Sequence, residues 1–195
     1  MDLVAATAIA VCWATIVVVW LGGALYNAAR APRGSIRGEG GAGTAIAAIV
    51  LVAVVVLLGS AWADRLQVTA TWIRLIGLVM LVVSTVFAVW ARLSIGTSWT
   101  VNPRVAGDRR LRTSGPYAVT RHPIYTGLLG MVVGSGLLAG LGEWLVAIVA
   151  AAIVIEMKIR LEERLLIATF PDEYERYRSR VPQLIPGLRV AHRDS

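Results

Sequence analysis

Long apolar runs without a charged residue are the feature of this sequence that most restricts its fold. Such runs cover residues 3–29, 40–63, 75–91 and 122–142, the last with His122 counted as neutral. A helix needs about 20 apolar residues to cross the hydrocarbon core of a bilayer. The third run reaches this length when it is extended back to Ala70 across the single charge of Arg74. The sequence therefore predicts four membrane-spanning helices from these runs.

A fifth and shorter run, residues 144–155, lies between Glu143 and the pair Glu156 and Lys158. It can span a bilayer only if these charges lie at the two interfaces, so we predict five spans, with the last helix continuing beyond the membrane. Backbone groups inside a bilayer must bond to one another. The predicted fold class is therefore all-α, a polytopic integral membrane protein with about five transmembrane helices plus cytoplasmic C-terminal helices. Residues 1–92 would hold three spans and residues 93–195 a catalytic half, in one integrated domain.

The composition excludes the main alternatives to a membrane fold. Of 195 residues, 57% are hydrophobic and 16% are charged, whereas soluble domains have about 45–50% and about 25%. A soluble domain and a disordered chain are both disfavoured. The single cysteine, Cys12, cannot form an intrachain disulfide, and no Cys/His set has metal-ligand spacing, so we expect no metal. The first run has no preceding Lys or Arg and is long for a signal peptide, so we expect it to remain in the protein.

The distribution of arginine and lysine predicts the orientation in the membrane. Three arginines lie between the first two runs, six lie between the third and fourth, and eight basic residues follow from Lys158 onward. The connection at residues 139–142 has none. By the positive-inside rule the N-terminus lies outside and the C-terminus and active site face the cytoplasm. The net charge of +7 favours membrane lipid as a partner, and no nucleic-acid module is visible.

Polar residues gather at the start of the fourth span. Pro123 suits the first position of a helix, which places His122 at or beside the N-cap. Arg121 adds a positive charge and Tyr125 adds a ring and a hydroxyl, so the helix start is a candidate anion site. The alternative is an interfacial belt, in which Arg, His and Tyr are common. The fourth and fifth spans should form a tight hairpin, and Gly130 and Gly134 are a small-xxx-small pair that favours close helix packing.

The end of the fifth span combines acids and bases. Glu156, Arg160 and Glu163 recur at i, i+4 and i+7 and share one helix face, whereas Glu162 points about 100° away from Glu163. The alternative is a solvated amphipathic helix with surface ion pairs. A short amphipathic helix with Tyr174 and Tyr177 follows and ends at Pro182. It would lie over the site or rest on anionic lipid.

Several short motifs occur here in one order. They are Gly115-Pro116-Tyr117, Arg121-His122-Pro123-x-Tyr125-x-Gly127, Arg160-x-Glu162-Glu163-x-x-Leu166 and Tyr174-x-x-Tyr177 followed by Arg180-Val181-Pro182. This order resembles the isoprenylcysteine carboxyl methyltransferase family and its prokaryotic relatives, from about Leu93 to Leu188. One departure is Pro171, where many members have glycine.

The resemblance implies methyl transfer from S-adenosylmethionine to a lipophilic small-molecule acceptor, such as the carboxylate of an isoprenylcysteine-like compound. It implies the following cofactor-binding residues: Arg121, His122, Pro123, Tyr125, Gly127, Glu162 and Tyr174. The implied catalytic residues are Arg160 and Glu163. Arg160 can bind a carboxylate acceptor through two parallel hydrogen bonds, and Glu163 would be the base for a thiol or an amine.

Two other functions remain open from the sequence. One is an NADPH-dependent reductase of the sterol-reductase type, whose C-terminal helices look broadly similar. The other is a membrane binding or scaffold protein that has kept the fold without activity. The identity of the acceptor, whether carboxylate, thiol or amine, also stays open.

The arginine distribution gives a direct test of the topology. Reporter proteins fused after Arg37 and after Arg112 should both report the cytoplasm. A reporter signal from the opposite side of the membrane at either position would contradict the predicted orientation.

Overall fold

The computed structural model describes residues 3–30, 67–68, 70–95 and 111–188. Five α-helices lie in these ranges: α1 (Leu3–Arg30), α2 (Thr71–Ile95), α3 (Pro123–Ala139), α4 (Trp144–Thr169) and α5 (Pro171–Arg180). A 3₁₀ turn, Gly115–Ala118, precedes α3. The described ranges contain no strand longer than the isolated bridge between Gln67 and Leu141. The predicted all-α class is confirmed.

The described residues include some of the predicted membrane spans. Two described segments, Leu3–Gly23 and Thr71–Ile95, are long and apolar enough to cross a membrane, and Pro123–Ala139 is a shorter apolar helix. The predicted span 40–63 lies outside the described residues. The helix predicted to continue past residue 155 does so, because α4 extends to Thr169. The count of five stays a prediction.

Helix α3 begins and ends where its sequence requires. His122 is the N-cap and Pro123 occupies the first turn, as predicted. At the other end Gly140 adopts a left-handed conformation with φ of 101°, and its N–H donates to the Gly136 carbonyl, the usual way a glycine terminates a helix. Only residues 140–143 separate α3 from α4, so the predicted tight hairpin is confirmed.

Small residues let α2 and α3 approach closely. A Cβ placed on Gly134 would lie 2.6 Å from the Leu81 backbone nitrogen, and one on Gly127 would lie 2.6 Å from Ala88 Cβ. Gly130 faces Ser84 in the same way. The predicted packing role of the Gly130 and Gly134 pair is confirmed, with α2 as the partner helix.

Polar side chains within the apolar helices are bonded across helix boundaries. Trp13 Nε1 of α1 donates to Ser135 Oγ of α3 at 3.2 Å. Arg74 Nε, the single charge inside the third predicted span, donates to the Leu138 carbonyl at 3.2 Å. These bonds satisfy groups that would be costly to leave unpaired away from water.

The outer surface of α4 carries an apolar row at every fourth position. Its members are exposed: Leu145, Val149, Ile153, Met157, Leu161 and Leu165. Exposed apolar faces on α1 and α2 are equally extensive. Surfaces of this size are typical of a membrane interaction rather than contact with water.

The close contact between α2 and α3 predicts unequal effects of two alanine substitutions. Gly134→Ala should lower the free energy of unfolding by about 1–3 kcal/mol, because overpacking forces backbones apart. Gly22→Ala is the matched control, since a Cβ there meets nothing within 4 Å. Thermal unfolding in detergent micelles measures both. Equal melting temperatures for the two variants would contradict the packing described here.

Candidate active site

Three segments converge at the start of α3. They are the α3 N-terminus, the second half of α4, and α5 with the residues that follow it. The hairpin causes this meeting, because residues equally distant from its turn lie at the same level on two antiparallel helices. Glu162 and Glu163 therefore return to the level of His122, whose side chain is buried.

The Glu163 carboxylate is the centre of a buried charge cluster. Its Oε1 lies 3.1 Å from Arg121 Nε and 2.9 Å from Arg121 Nη2. The same oxygen lies 3.3 Å from His122 Nε2. Burial acts to raise the pKa of Glu163, but the hydrogen bond with His122 and the charge of Arg121 outweigh it and lower the pKa to about 2. So acidic a group is a poor general base near neutral pH.

Glu162 forms the more open side of the site. Tyr125 Oη donates to Glu162 Oε1 at 2.5 Å, and His122 Nδ1 lies 3.7 Å from Glu162 Oε2. The Tyr125 ring stacks against His122, with centroids 6.0 Å apart. Because 47% of the Glu162 side chain is exposed, its carboxylate is an accessible negative charge beside an aromatic face.

Two tyrosines of α5, Tyr174 and Tyr177, lie on the α5 side of the site. Tyr177 Oη donates to the Tyr117 carbonyl at 2.6 Å, which ties α5 to the 3₁₀ turn. Tyr174 is 1% exposed, and its hydroxyl lies beside the Glu163 carboxylate. Burial and the neighbouring Glu163 both raise the pKa of Tyr174, so its hydroxyl stays protonated. It is a donor that faces the Glu163 carboxylate.

Arg121 is occupied by protein oxygens. In addition to Glu163, its Nη1 donates to the carbonyls of Arg178 and Val181, each at 3.0 Å. The side chain is 9% exposed. These contacts join Arg121 to Glu163 and to the C-terminal segment, and its predicted role in binding a cofactor stays a prediction.

Arg160 lies apart from the buried cluster. Its Nε donates to Glu156 Oε1 at 2.8 Å, one turn back on α4, and 70% of its side chain is exposed. The sequence predicts that Arg160 and Glu163 share one helix face, but Arg160 contacts Glu156 whereas Glu163 contacts Arg121 and His122 at the start of α3. The catalytic roles predicted for Arg160 and Glu163 stay predictions. Gly127 packs against α2, so its contacts are structural, and Pro123 sets the helix start.

Sequence reasoning missed one residue of this region. Gln183 Nε2 donates to Glu156 Oε2 at 3.0 Å, and the Gln183 carbonyl accepts from the His122 N–H at 3.2 Å. Its position directly after Val181-Pro182 was the available signal. Within the described ranges, no group of three His, Cys, Asp or Glu side chains could hold a metal ion.

A family model described as phospholipid methyltransferase matches residues 72–173, a range that includes nearly all of α2, all of α3 and α4, and the start of α5. The chain belongs to this family. Its apolar helices and its family place it among integral membrane proteins.

Curated relatives and one solved structure agree with the family. The chain is 35% identical to a protein-S-isoprenylcysteine O-methyltransferase of Schizosaccharomyces pombe, over 40% of the chain and 34% of the relative. It is 41% identical to methanethiol S-methyltransferase 1 of Bradyrhizobium diazoefficiens, over 41% and 27%. It is 35% identical to a cobalt-zinc-cadmium resistance protein of Cupriavidus metallidurans, over 45% and 41%. These matches cover less than half the length of each relative.

The fold is similar to that of the eukaryotic intramembrane Ras methyltransferase, isoprenylcysteine carboxyl methyltransferase. The TM-score is 0.56 and the identity 23%, covering 78% of this chain and 55% of the other. Together with the family model and the isoprenylcysteine O-methyltransferase relative, this similar fold confirms the resemblance noted in the sequence.

The low pKa of Glu163 predicts an acid-sensitive contribution to stability. A carboxylate whose folded pKa lies below its usual value stabilises the fold above the usual value, near 4.5, and loses that effect as the pH falls toward about 2. The wild type should therefore lose more stability over this range than Glu163→Gln.

Thermal unfolding between pH 4.5 and 2 measures this difference. At neutral pH, Glu163→Gln should already be less stable by about 1–3 kcal/mol, because it removes a charged hydrogen-bond partner of Arg121. Glu175→Gln, an exposed position on α5, is the matched control and should keep the acid response. An identical acid response in Glu163→Gln and the wild type would refute the assignment.

Proposed function

We propose that this protein is an S-adenosylmethionine-dependent membrane methyltransferase that acts on a lipophilic acceptor, with its site facing the cytoplasm. The observation that carries the proposal is the group formed by His122, Tyr125 and Glu162 at the start of α3, with the buried Tyr174 hydroxyl beside Glu163. The family and the names of two of the three relatives, the isoprenylcysteine O-methyltransferase and the methanethiol S-methyltransferase, agree with methyl transfer.

The residues present fit the proposed cofactor. S-adenosylmethionine carries an ammonium, a sulfonium and a carboxylate, and it supplies an electrophilic methyl group when bound. Glu162 offers a half-exposed anion to a cationic group, and the Tyr125 ring face attracts positive charge. The positive end of the α3 dipole suits the carboxylate.

The acceptor side of the proposed reaction is assigned to Arg160. Methyl transfer by in-line displacement depends mainly on alignment of the reacting groups. The exposed guanidinium of Arg160 can hold a carboxylate through two parallel hydrogen bonds. A carboxylate acceptor needs no base, because it is already a nucleophile. The pKa of Glu163, about 2, does not suit a base for a thiol or an amine. We therefore favour a carboxylate acceptor, such as that of an isoprenylcysteine-like compound.

The apolar part of the acceptor can be supplied from the bilayer. Met157 and Leu161 of the outer α4 row are neighbours of Arg160 along the helix and are exposed. Burial of an alkyl or prenyl chain contributes about 0.8 kcal/mol per methylene. A lipophilic tail can therefore bind along α4 while its head-group is held at Arg160.

Two substitutions should separate cofactor binding from turnover. Glu162→Gln should weaken binding of S-adenosylhomocysteine by about tenfold or more, since a charged partner is worth roughly 1.5–3 kcal/mol. Arg160→Gln should leave that affinity within about twofold and lower methyl transfer to a prenylated thiol acid by roughly 30-fold or more. Calorimetry and transfer of a labelled methyl group give the two readouts.

The controls for this experiment are matched by residue type. Arg164→Gln removes an exposed arginine one turn further along α4 and should change neither readout. NADPH should give no heat of binding. If the protein binds NADPH and does not bind S-adenosylhomocysteine, a reductase is favoured instead. Equal losses of cofactor affinity and turnover in Arg160→Gln would contradict the acceptor role of Arg160.

A further inference from the structure

The last turn of α5 and the residues that follow it are bonded to the start of α3. We call residues 177–184 the C-terminal strap. Two backbone N–H groups of the α3 start donate to it: Arg121 to the Pro182 carbonyl at 2.8 Å and His122 to the Gln183 carbonyl at 3.2 Å. Thr126 Oγ1 donates to the Leu184 carbonyl at 2.7 Å. The strap therefore has a fixed register against the residues that begin α3.

Arg121 anchors the first half of the strap. Its Nη1 reaches the carbonyls of Arg178 and Val181, which lie at the C-terminal end of α5. Helix ends leave such carbonyls without partners inside the helix, and an arginine near the end can satisfy them. Glu163 holds the opposite edge of the guanidinium through Nε and Nη2, so the side chain is fixed from both sides.

Gln183 connects the strap to two parts of the proposed site, the cofactor group at His122 and the acceptor residue Arg160. Its carbonyl accepts from the His122 N–H, beside the proposed cofactor group. Its side-chain amide donates to Glu156 Oε2, and the other oxygen of that carboxylate accepts from Arg160. Gln183 thus joins the backbone of His122 to Glu156, the carboxylate that bonds Arg160.

We propose that the C-terminal strap is a positioning element, anchored by Arg121, in which Gln183 holds Arg160 in register with the His122 and Glu162 side of the site. Arg121, Glu163 and Gln183 are positioning residues in this account and contact neither substrate. The anchoring part follows from the contacts alone. The effect on Arg160 rests on the proposed function, and the experiment below separates the two.

The anchoring is tested by amide hydrogen exchange in the ligand-free protein. In Arg121→Gln, the amide hydrogens of residues 121 and 122, which bond to the strap, should exchange about tenfold faster or more, as expected when charge-assisted bonds are lost. Arg121→Lys keeps the charge opposite Glu163 and should show a smaller increase. Arg176→Gln is the matched control, because Arg176 is exposed and its Nε donates to the Asp172 carbonyl of its own helix.

The link to Arg160 is tested by Gln183→Leu, which keeps a similar volume and the backbone carbonyl. Exchange of the residue 122 amide and affinity for S-adenosylhomocysteine should stay within about twofold, while the turnover number falls by about tenfold, as for loss of a bond to a charged group. Arg176→Gln should leave all three readouts unchanged.

The outcomes are distinguishable. Unchanged exchange in Arg121→Gln would overturn the anchoring, and unchanged turnover in Gln183→Leu would overturn the link to Arg160. A parallel loss of affinity and turnover in Gln183→Leu would show a general structural effect and would also overturn that link. If the wild type transfers no methyl group to any acceptor, the proposed function fails, while the exchange result still decides the anchoring.

Discussion

The site depends on the buried ion pair between Glu163 and Arg121. Removing two charges from water is costly, and the cost is offset only when the geometry is good and further hydrogen bonds are made. Here one carboxylate oxygen faces Arg121 and His122 together, and Arg121 also bonds two carbonyls at the C-terminal end of α5. The pair therefore joins α3, α4 and the C-terminal strap. Loss of either partner would leave the other charge buried without its main interaction.

This ion pair can form because the apolar helices fix the geometry around it. Glycines bring α2 and α3 into backbone contact, which determines where the N-terminus of α3 lies. The four-residue turn at 140–143 then makes α4 antiparallel to α3. Since both helices rise about 1.5 Å per residue, the level of Pro123 is reached again some 17 residues into α4. Glu162 and Glu163 lie at that level on two sides of α4, so the Glu162 carboxylate remains accessible while the Glu163 carboxylate is largely buried.

Local sequence signals predicted much of this arrangement. Pro123 and His122 marked the helix start, the short connection marked the hairpin, and Gly130 and Gly134 marked the packing face. The motif order identified the family and gathered His122, Tyr125, Glu162 and Tyr174 into one candidate site. The partners of backbone carbonyls could not be predicted, because any residue supplies the same carbonyl. The roles of Arg121 and Gln183 depend on such contacts, and the separation of Arg160 from Glu163 depends on which face of α4 meets α3.

The proposed methyl donor binds between the start of α3 and the second half of α4. Ultraviolet cross-linking of labelled S-adenosylmethionine to the purified protein, followed by peptide mass spectrometry, locates this binding site. Label should appear within residues 117–126 or 156–174 and should be suppressed by excess S-adenosylhomocysteine. Label confined to residues 3–30 or 70–95, or labelling that the competitor does not suppress, would contradict this binding site.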